Sequence, residues 1–254
     1  MLYIKNIRAG YKNKIIVDNI EFSIKPKEFT ALLGLNGAGK TTLLKTICGL
    51  LKPISGQVVI GEEDLLMLNE KERARHISFM PQRHSIIYDT KVIDVVLMGI
   101  TAYLSIFETP NNRHREIAYR MLELIGMDTH AEDNFLNLSG GQKQLIIIAR
   151  ALMQNAEIML FDEPNSALDF NNEHMVLENI RNIIKSQNKI GIITLHDPNL
   201  ALQYCDKIII LKNGAIFSEF NTKDVNSEFL FDVFSKIYGK ISIIEHMSKY
   251  VIVR

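Results

Sequence analysis

The chain has 254 residues, enough for one large α/β domain or two small ones around a sizeable core. Its 29 basic and 29 acidic residues cancel, which argues against a nucleic-acid partner held by phosphate neutralisation. The composition, 47% hydrophobic and 23% charged, is ordinary for a soluble globular protein, and no uncharged apolar run reaches the 18 residues of a membrane span. The nearest approach, Val92 to Phe107, carries Asp94 and Gly99. The start, Met1-Leu2-Tyr3-Ile4, has no basic leader and apolar signal core, so export by that route is not expected. Cys48 and Cys205 sit in apolar runs outside any metal-type pair, and read as reduced, buried thiols of a cytosolic protein.

In chain order, Ile20, Phe22 and Ile24 alternate with Asn19, Glu21 and Ser23, which predicts a half-buried antiparallel sheet near the N-terminus. Phe29 to Leu33 is a buried strand ending at Gly34. Thr41 to Leu51 then reads as a helix with Leu43, Leu44, Ile47, Leu50 and Leu51 on one face, stopped by Pro53. Gln57–Ile60 and Ile77–Met80 are further strands, and between them Asn69 with Glu72 has the spacing of a capping box. From Ile86 to about Gln154 the strand signal vanishes. Ile117, Met121, Leu124 and Ile125 have helical spacing, as do Leu145, Ile148, Ala149 and Leu152, which predicts a helical insert. Strands return at Ile158–Phe161, Ile190–Leu195 and Ile208–Leu211. Asn213-Gly214 marks a hairpin turn, and the tail from Ser227 reads as a short helix and one or two strands. Short apolar runs alternating with helical patterns predict a largely parallel sheet.

Gly34-Leu35-Asn36-Gly37-Ala38-Gly39-Lys40-Thr41 matches the P-loop pattern, between a buried strand and a helix. Its glycines let backbone N–H groups curl around a β-phosphate, and the helix N-terminus adds its positive end. Lys40 then reaches the β- and γ-phosphates, Thr41 ligates Mg²⁺, and Thr42 contacts the α-phosphate. The strand Ile158–Phe161 ends in Asp162-Glu163, a pair that strand stability does not require. Asp162 is expected to hold Mg²⁺ through water. Glu163 points elsewhere, because successive strand residues alternate, and is placed to orient or deprotonate water.

Leu138-Ser139-Gly140-Gly141-Gln142, leading into a helix that ends Ala149-Arg150-Ala151-Leu152, adds a second anion-binding helix start. With these motifs, nearly the whole chain resembles the ABC ATPase family, and this stretch its signature. The resemblance implies an α/β P-loop NTPase: a RecA-like core with an N-terminal antiparallel β subdomain (1–85 and 155–226), an inserted α-helical subdomain carrying the signature (86–154), and a short C-terminal extension (227–254). It implies ATP and Mg²⁺ as ligands. The nucleotide contacts would be Tyr11 on adenine, Gly34, Asn36, Gly37, Ala38, Gly39, Lys40, Thr41 and Thr42 in the loop, and Ser139, Gly141, Gln142 and Asp169 from the signature and D-loop. Thr41, Gln82 and Asp162 would serve the metal, and Glu163, His196, Lys40 and Gln82 the hydrolysis. Two residues depart from the family pattern: Leu35 replaces a common proline, and Asn165 replaces a threonine before the D-loop.

In that family two copies pair head to tail, the signature of one closing on the γ-phosphate held by the other. The implied role is the ATPase of a transporter, peripheral on the cytoplasmic face of the membrane, working with permease subunits and indirectly a substrate-binding protein. His196-Asp197-Pro198-Asn199-Leu200-Ala201-Leu202 and Val92–Phe107 resemble the importers of iron-siderophore, haem and cobalamin complexes. Zinc or manganese importers are the alternative, and a non-transport ABC ATPase the more distant one. The apolar Val92–Phe107 segment is expected to help form the groove that receives a cytoplasmic helix of the permease, with internal packing of the insert as the alternative.

Overall fold

The computed structural model describes residues 1–254 except 13, 83–88, 106, 247–248 and 254. The expected start of the helical insert at Ile86 therefore lies outside the described residues. β1 (Leu2–Tyr11), β2 (Lys14–Ile24), β4 (Ser55–Ile60) and β5 (Glu63–Asp64) form an antiparallel sheet in the order β2-β1-β4-β5. β3 (Phe29–Leu33), β6 (Ile77–Met80), β7 (Ile158–Asp162), β8 (Ile190–Thr194), β9 (Lys207–Lys212) and β10 (Ala215–Asn221) form the second, ordered β10-β9-β3-β8-β7-β6. All its pairings are parallel except the β9–β10 hairpin, which turns at Asn213-Gly214 with φ of 52° and 79°.

Each central strand divides its side chains between two cores. Leu32, Ile158, Leu160, Ile192, Ile209 and Leu211 face the antiparallel sheet and α1 (Lys40–Ile47). Ala31, Leu33, Met159, Phe161, Ile193, Ile208 and Ile210 face the helices on the other side. A strand covered on both faces reads as a continuous apolar run, which is why β3, β7 and β8 are buried at every residue.

α1 stops four residues short of the expected helix. Gly49 turns left-handed at φ 74°, and the N–H groups of Gly49 and Leu51 close onto the carbonyls of Thr46 and Lys45. Leu43, Leu44 and Ile47 are buried as expected, whereas Leu50, beyond the break, is 70% exposed. α2 (Glu70–His76) starts at the expected capping box, with Asn69 and Glu72 bonded reciprocally.

The region before β7 is helical among the described residues: α3 (Val92–Leu97), α4 (Asn112–Leu124) and α5 (Gly140–Met153) pack together. The apolar segment from Val92 is chiefly core. Val92, Ile93, Val95, Val96, Leu97 and Ile100 are buried, and Met98, Tyr103 and Phe107 stay exposed. Gly99 permits this, because a Cβ there would stand 2.4 Å from the Arg150 carbonyl on α5. Internal packing thus claims most of the segment. Ile100 and Tyr103 line an open groove of 480 Å³ with His114, Ile117 and Met121 of α4.

After β7 come α6 (Phe170–Ser186), α7 (Pro198–Tyr204) and α8 (Ser227–Tyr238), then a hairpin of β11 (Ser242–His246) and β12 (Lys249–Val253). Cys205 is buried and Cys48 half-buried, both free, and burial pushes both thiols up, that of Cys48 to about 11. Both are therefore expected to alkylate slowly with iodoacetamide at neutral pH until the chain is denatured. Leu97→Ala should lower the unfolding free energy by about 2–5 kcal/mol in a denaturant titration. A loss below about 0.5 kcal/mol, the scale of surface sites, would contradict its burial.

Candidate functional site

Three adjacent strands, β3, β8 and β7, end on the same edge of the sheet, where open α/β sheets bind ligands. The Gly34–Gly39 loop leaves β3 there, with φ of 145°, 81° and 106° at Gly34, Gly37 and Gly39, and feeds α1. Asp162 and Glu163 end β7, and His196 follows β8. The loop, Glu163 and His196 enclose a cleft of 570 Å³ lined by Tyr11, Asn36, Gly37, Ala38, Gly39, Lys40, Thr41, Thr42, Gln82, Glu163 and His196, and Asp162 lies buried outside that lining. Gly34 contributes its carbonyl, which accepts Lys40 Nζ at 2.7 Å. Burial holds the Lys40 ammonium below its ordinary range, and the carboxylates of Glu163 and Asp162 oppose that shift.

Asp162 is 1% exposed. Its Oδ1 accepts the Thr194 hydroxyl at 2.9 Å, and Oδ2 is buried with no partner. Burial pushes this carboxyl above the usual carboxylate range, and the hydroxyls of Thr41 and Thr194 pull it back. A buried carboxylate oxygen without a donor, beside a threonine hydroxyl, suits a hard cation. The residues present therefore fit Mg²⁺.

Glu163 has φ 51°, a left-handed conformation that costs a non-glycine residue about 1–3 kcal/mol. Its N–H donates to Thr194 Oγ1 at 2.8 Å, and Gln144 of α5 donates to the carbonyls of Pro164 at 3.0 Å and Glu163 at 3.5 Å. The side chain, 8% exposed, turns into the cleft. There the Gln82 amide donates to one oxygen and His196 Nε2 meets the other at 2.8 Å. A carboxylate so held is a fixed proton acceptor.

Ser139, Gly141, Gln142 and Asp169 do not line this cleft. Ser139 caps α5: its Oγ accepts the Gln142 N–H at 3.3 Å, and Gln142 Oε1 accepts the Ser139 N–H at 3.0 Å. Asp169 caps α6 through Asn172 N–H at 2.9 Å. Sequence reasoning missed three residues. Thr194 ties Asp162 to Glu163, and its signal is a hydroxyl at the tip of an apolar strand. Gln144 was legible as a polar residue entering the apolar run of α5. Lys14 lines the cleft beside Tyr11, with no signal beyond its closeness in sequence.

Residues 17–166 match the ABC transporter family model, and the chain belongs to that family of ATPases. It is 39% identical to an uncharacterized ABC transporter ATP-binding protein of Methanocaldococcus jannaschii, over 97% of this chain and 94% of that one. It is 34% identical to a probable iron chelatin transport ATP-binding protein of Helicobacter pylori, over 87% of this chain and 88% of the relative. It also superposes on an inward-facing structure described as a metal-chelate type ABC transporter, with a TM-score of 0.81, 28% identity, and coverage of 99% and 95%. The fold is the ABC ATPase cassette, with its antiparallel β sheet and helical insert.

Thr194→Val removes the hydroxyl that joins Asp162 to Glu163 while keeping the shape. It should lower ATP turnover by about 10²-fold, the scale of a displaced catalytic group. Steady-state ATPase kinetics with unchanged kcat would overturn this linkage.

Proposed function

We propose that the chain is the ATP-hydrolysing subunit of an importer for metal chelates, such as iron-siderophore, haem or cobalamin complexes. The observation that carries the ATPase reading is the joint presence, in one cleft, of the Lys40 loop and a Glu163 carboxylate bracketed by His196 and Gln82. The metal-chelate cargo is supported by the iron chelatin relative and the metal-chelate type structure.

In this reading Tyr11 stacks on adenine, and the backbone N–H groups from Gly34 to Thr42, with Lys40, surround the phosphates. Thr41, Asp162 and Gln82 would hold Mg²⁺, which would supply positive charge to offset that of the phosphates. Glu163 accepts the proton of a water as its oxygen bonds to the γ-phosphorus. The bond to the β-γ bridging oxygen breaks, leaving ADP and inorganic phosphate. His196 keeps Glu163 oriented and contacts the γ-phosphate. Little covalent chemistry falls to the chain, which positions groups and stabilises charge.

The Ser139 helix start does not line its own cleft, and in this reading it serves the nucleotide of a second copy in a head-to-tail homodimer. With one oxygen lone pair bonded to the Gln142 N–H, the Ser139 hydroxyl keeps its proton free to donate to a γ-phosphate. Hydrolysis then leaves like charges in the interface and loosens it. No helix among the described residues is long and apolar enough to cross a membrane. In this reading the subunit works from the cytoplasmic face on separate permease subunits fed by a binding protein. The groove edged by Ile100 and Tyr103 receives a permease helix.

Glu163→Gln should cut ATP turnover by about 10²-fold or more. It should still bind ATP and accumulate a dimer by light scattering. ATP-loaded Glu163→Gln that stays monomeric at every concentration sinks the paired-site account. Tyr103→Asp should keep ATPase activity of the isolated subunit within about twofold yet reduce metal-chelate uptake by cells roughly tenfold. Unchanged uptake would remove the groove from the permease interface.

A further inference from the structure

His196 lies in the short link between β8 and α7, with its side chain 52% exposed. Its position therefore depends on how the first turn of α7 is anchored. Asp197 caps that turn, accepting the Asn199 N–H at 2.8 Å. The Asn199 side chain reaches the C-terminal hairpin. Its Nδ2 donates to the Ile252 carbonyl at 3.0 Å, and its Oδ1 accepts the Ile252 N–H at 2.8 Å. A neighbouring strand would bond β12 in this two-point manner, so one side-chain amide closes the edge of the hairpin at this residue. Ile252 itself is 8% exposed and belongs to the core that includes Leu200 and Ala201 of α7.

The same C-terminal segment also meets the phosphate loop. Tyr238, at the end of α8, has its phenol pushed up to about 12, first by burial and then by the Asp197 carboxylate. Lys236 and Ile237 of α8 share a 220 Å³ cleft with Leu35, Asn36, Gly37 and Ala38, and Lys212 Nζ bonds the Lys236 carbonyl at 3.2 Å. The extension therefore spans from the outer wall of the phosphate loop to the residues just after His196.

We propose that Asn199 is a positioning residue for His196: by fastening the C-terminal hairpin to the first turn of α7, it holds the imidazole against Glu163. This rests on the reading of Glu163 and His196 given above. It assigns the Asn199 fastening a role in hydrolysis rather than in nucleotide affinity, because its bonds go to Ile252 and not to the phosphate cradle.

The test is steady-state ATPase kinetics on the full chain. Asn199→Ala should lower kcat about tenfold, with KM for ATP within about twofold and the thermal midpoint nearly unchanged. In a His196→Ala background the same substitution should lower the residual turnover no further, since its effect passes through the imidazole. A loss of the same factor in that background overturns the proposal, as does a rise in KM without a fall in kcat. If Asn199→Ala unfolds, Asn199→Asp, which keeps the acceptor for the Ile252 N–H, carries the same comparison. Undiminished turnover in His196→Ala would refute the reading of the site itself. An inactive His196→Ala beside a fully active Asn199→Ala refutes only the role of Asn199.

Discussion

Leu32 on β3 pairs with Thr194 on β8, and Thr194 pairs with Asp162 on β7. This parallel register is the constraint on which the cleft depends. Three chain segments remote in sequence end side by side because their ladders are locked, and each then delivers one component: the phosphate loop, the acidic pair, and His196. A slip of one residue would exchange the two faces of a strand and send Asp162 to the wrong side. Both faces of these strands are buried, so such a slip would also put the wrong side chains into two cores at once.

Within the cleft the charges balance one another. Lys40 is buried, with its ammonium destabilised, and Glu163 and Asp162 supply the nearby negative charge. Glu163 is in turn bracketed by His196 and Gln82. The left-handed backbone at Glu163 is held by hydrogen bonds from two elements, Thr194 of β8 and Gln144 of α5. The α5 bond matters for communication. The helix that Ser139 opens is also the helix that grips the backbone next to Glu163, so the two ends of the proposed dimeric site are mechanically joined within each chain.

The apolar stretch from Val92 shows how an interface and a core compete for the same residues. Its composition alone fits either. Packing against α5, permitted by Gly99, takes most of the side chains inward and leaves only the far end to edge a groove. Leu50 moved the other way: helical spacing placed it on the buried face, and the left-handed turn at Gly49 put it into solvent.

The sequence alone determined the glycine-rich loop between β3 and α1, the acidic pair after β7's apolar run, the Ser139 cap of α5 and the succession of buried strands along the chain, because each is a local pattern of residue types with a local physical cause. Buried parallel strands announced themselves as apolar runs, and the capping box at Asn69 and the turn at Asn213-Gly214 as short motifs. Tertiary structure decided what depends on partners distant along the chain. The Thr194 hydroxyl on Asp162, the Gln144 amide on the Pro164 carbonyl, and the Asn199 grip on Ile252 join residues 32, 20 and 53 positions apart. No local periodicity encodes such pairs, since they exist only after the two cores have set the strand ends and helix starts side by side.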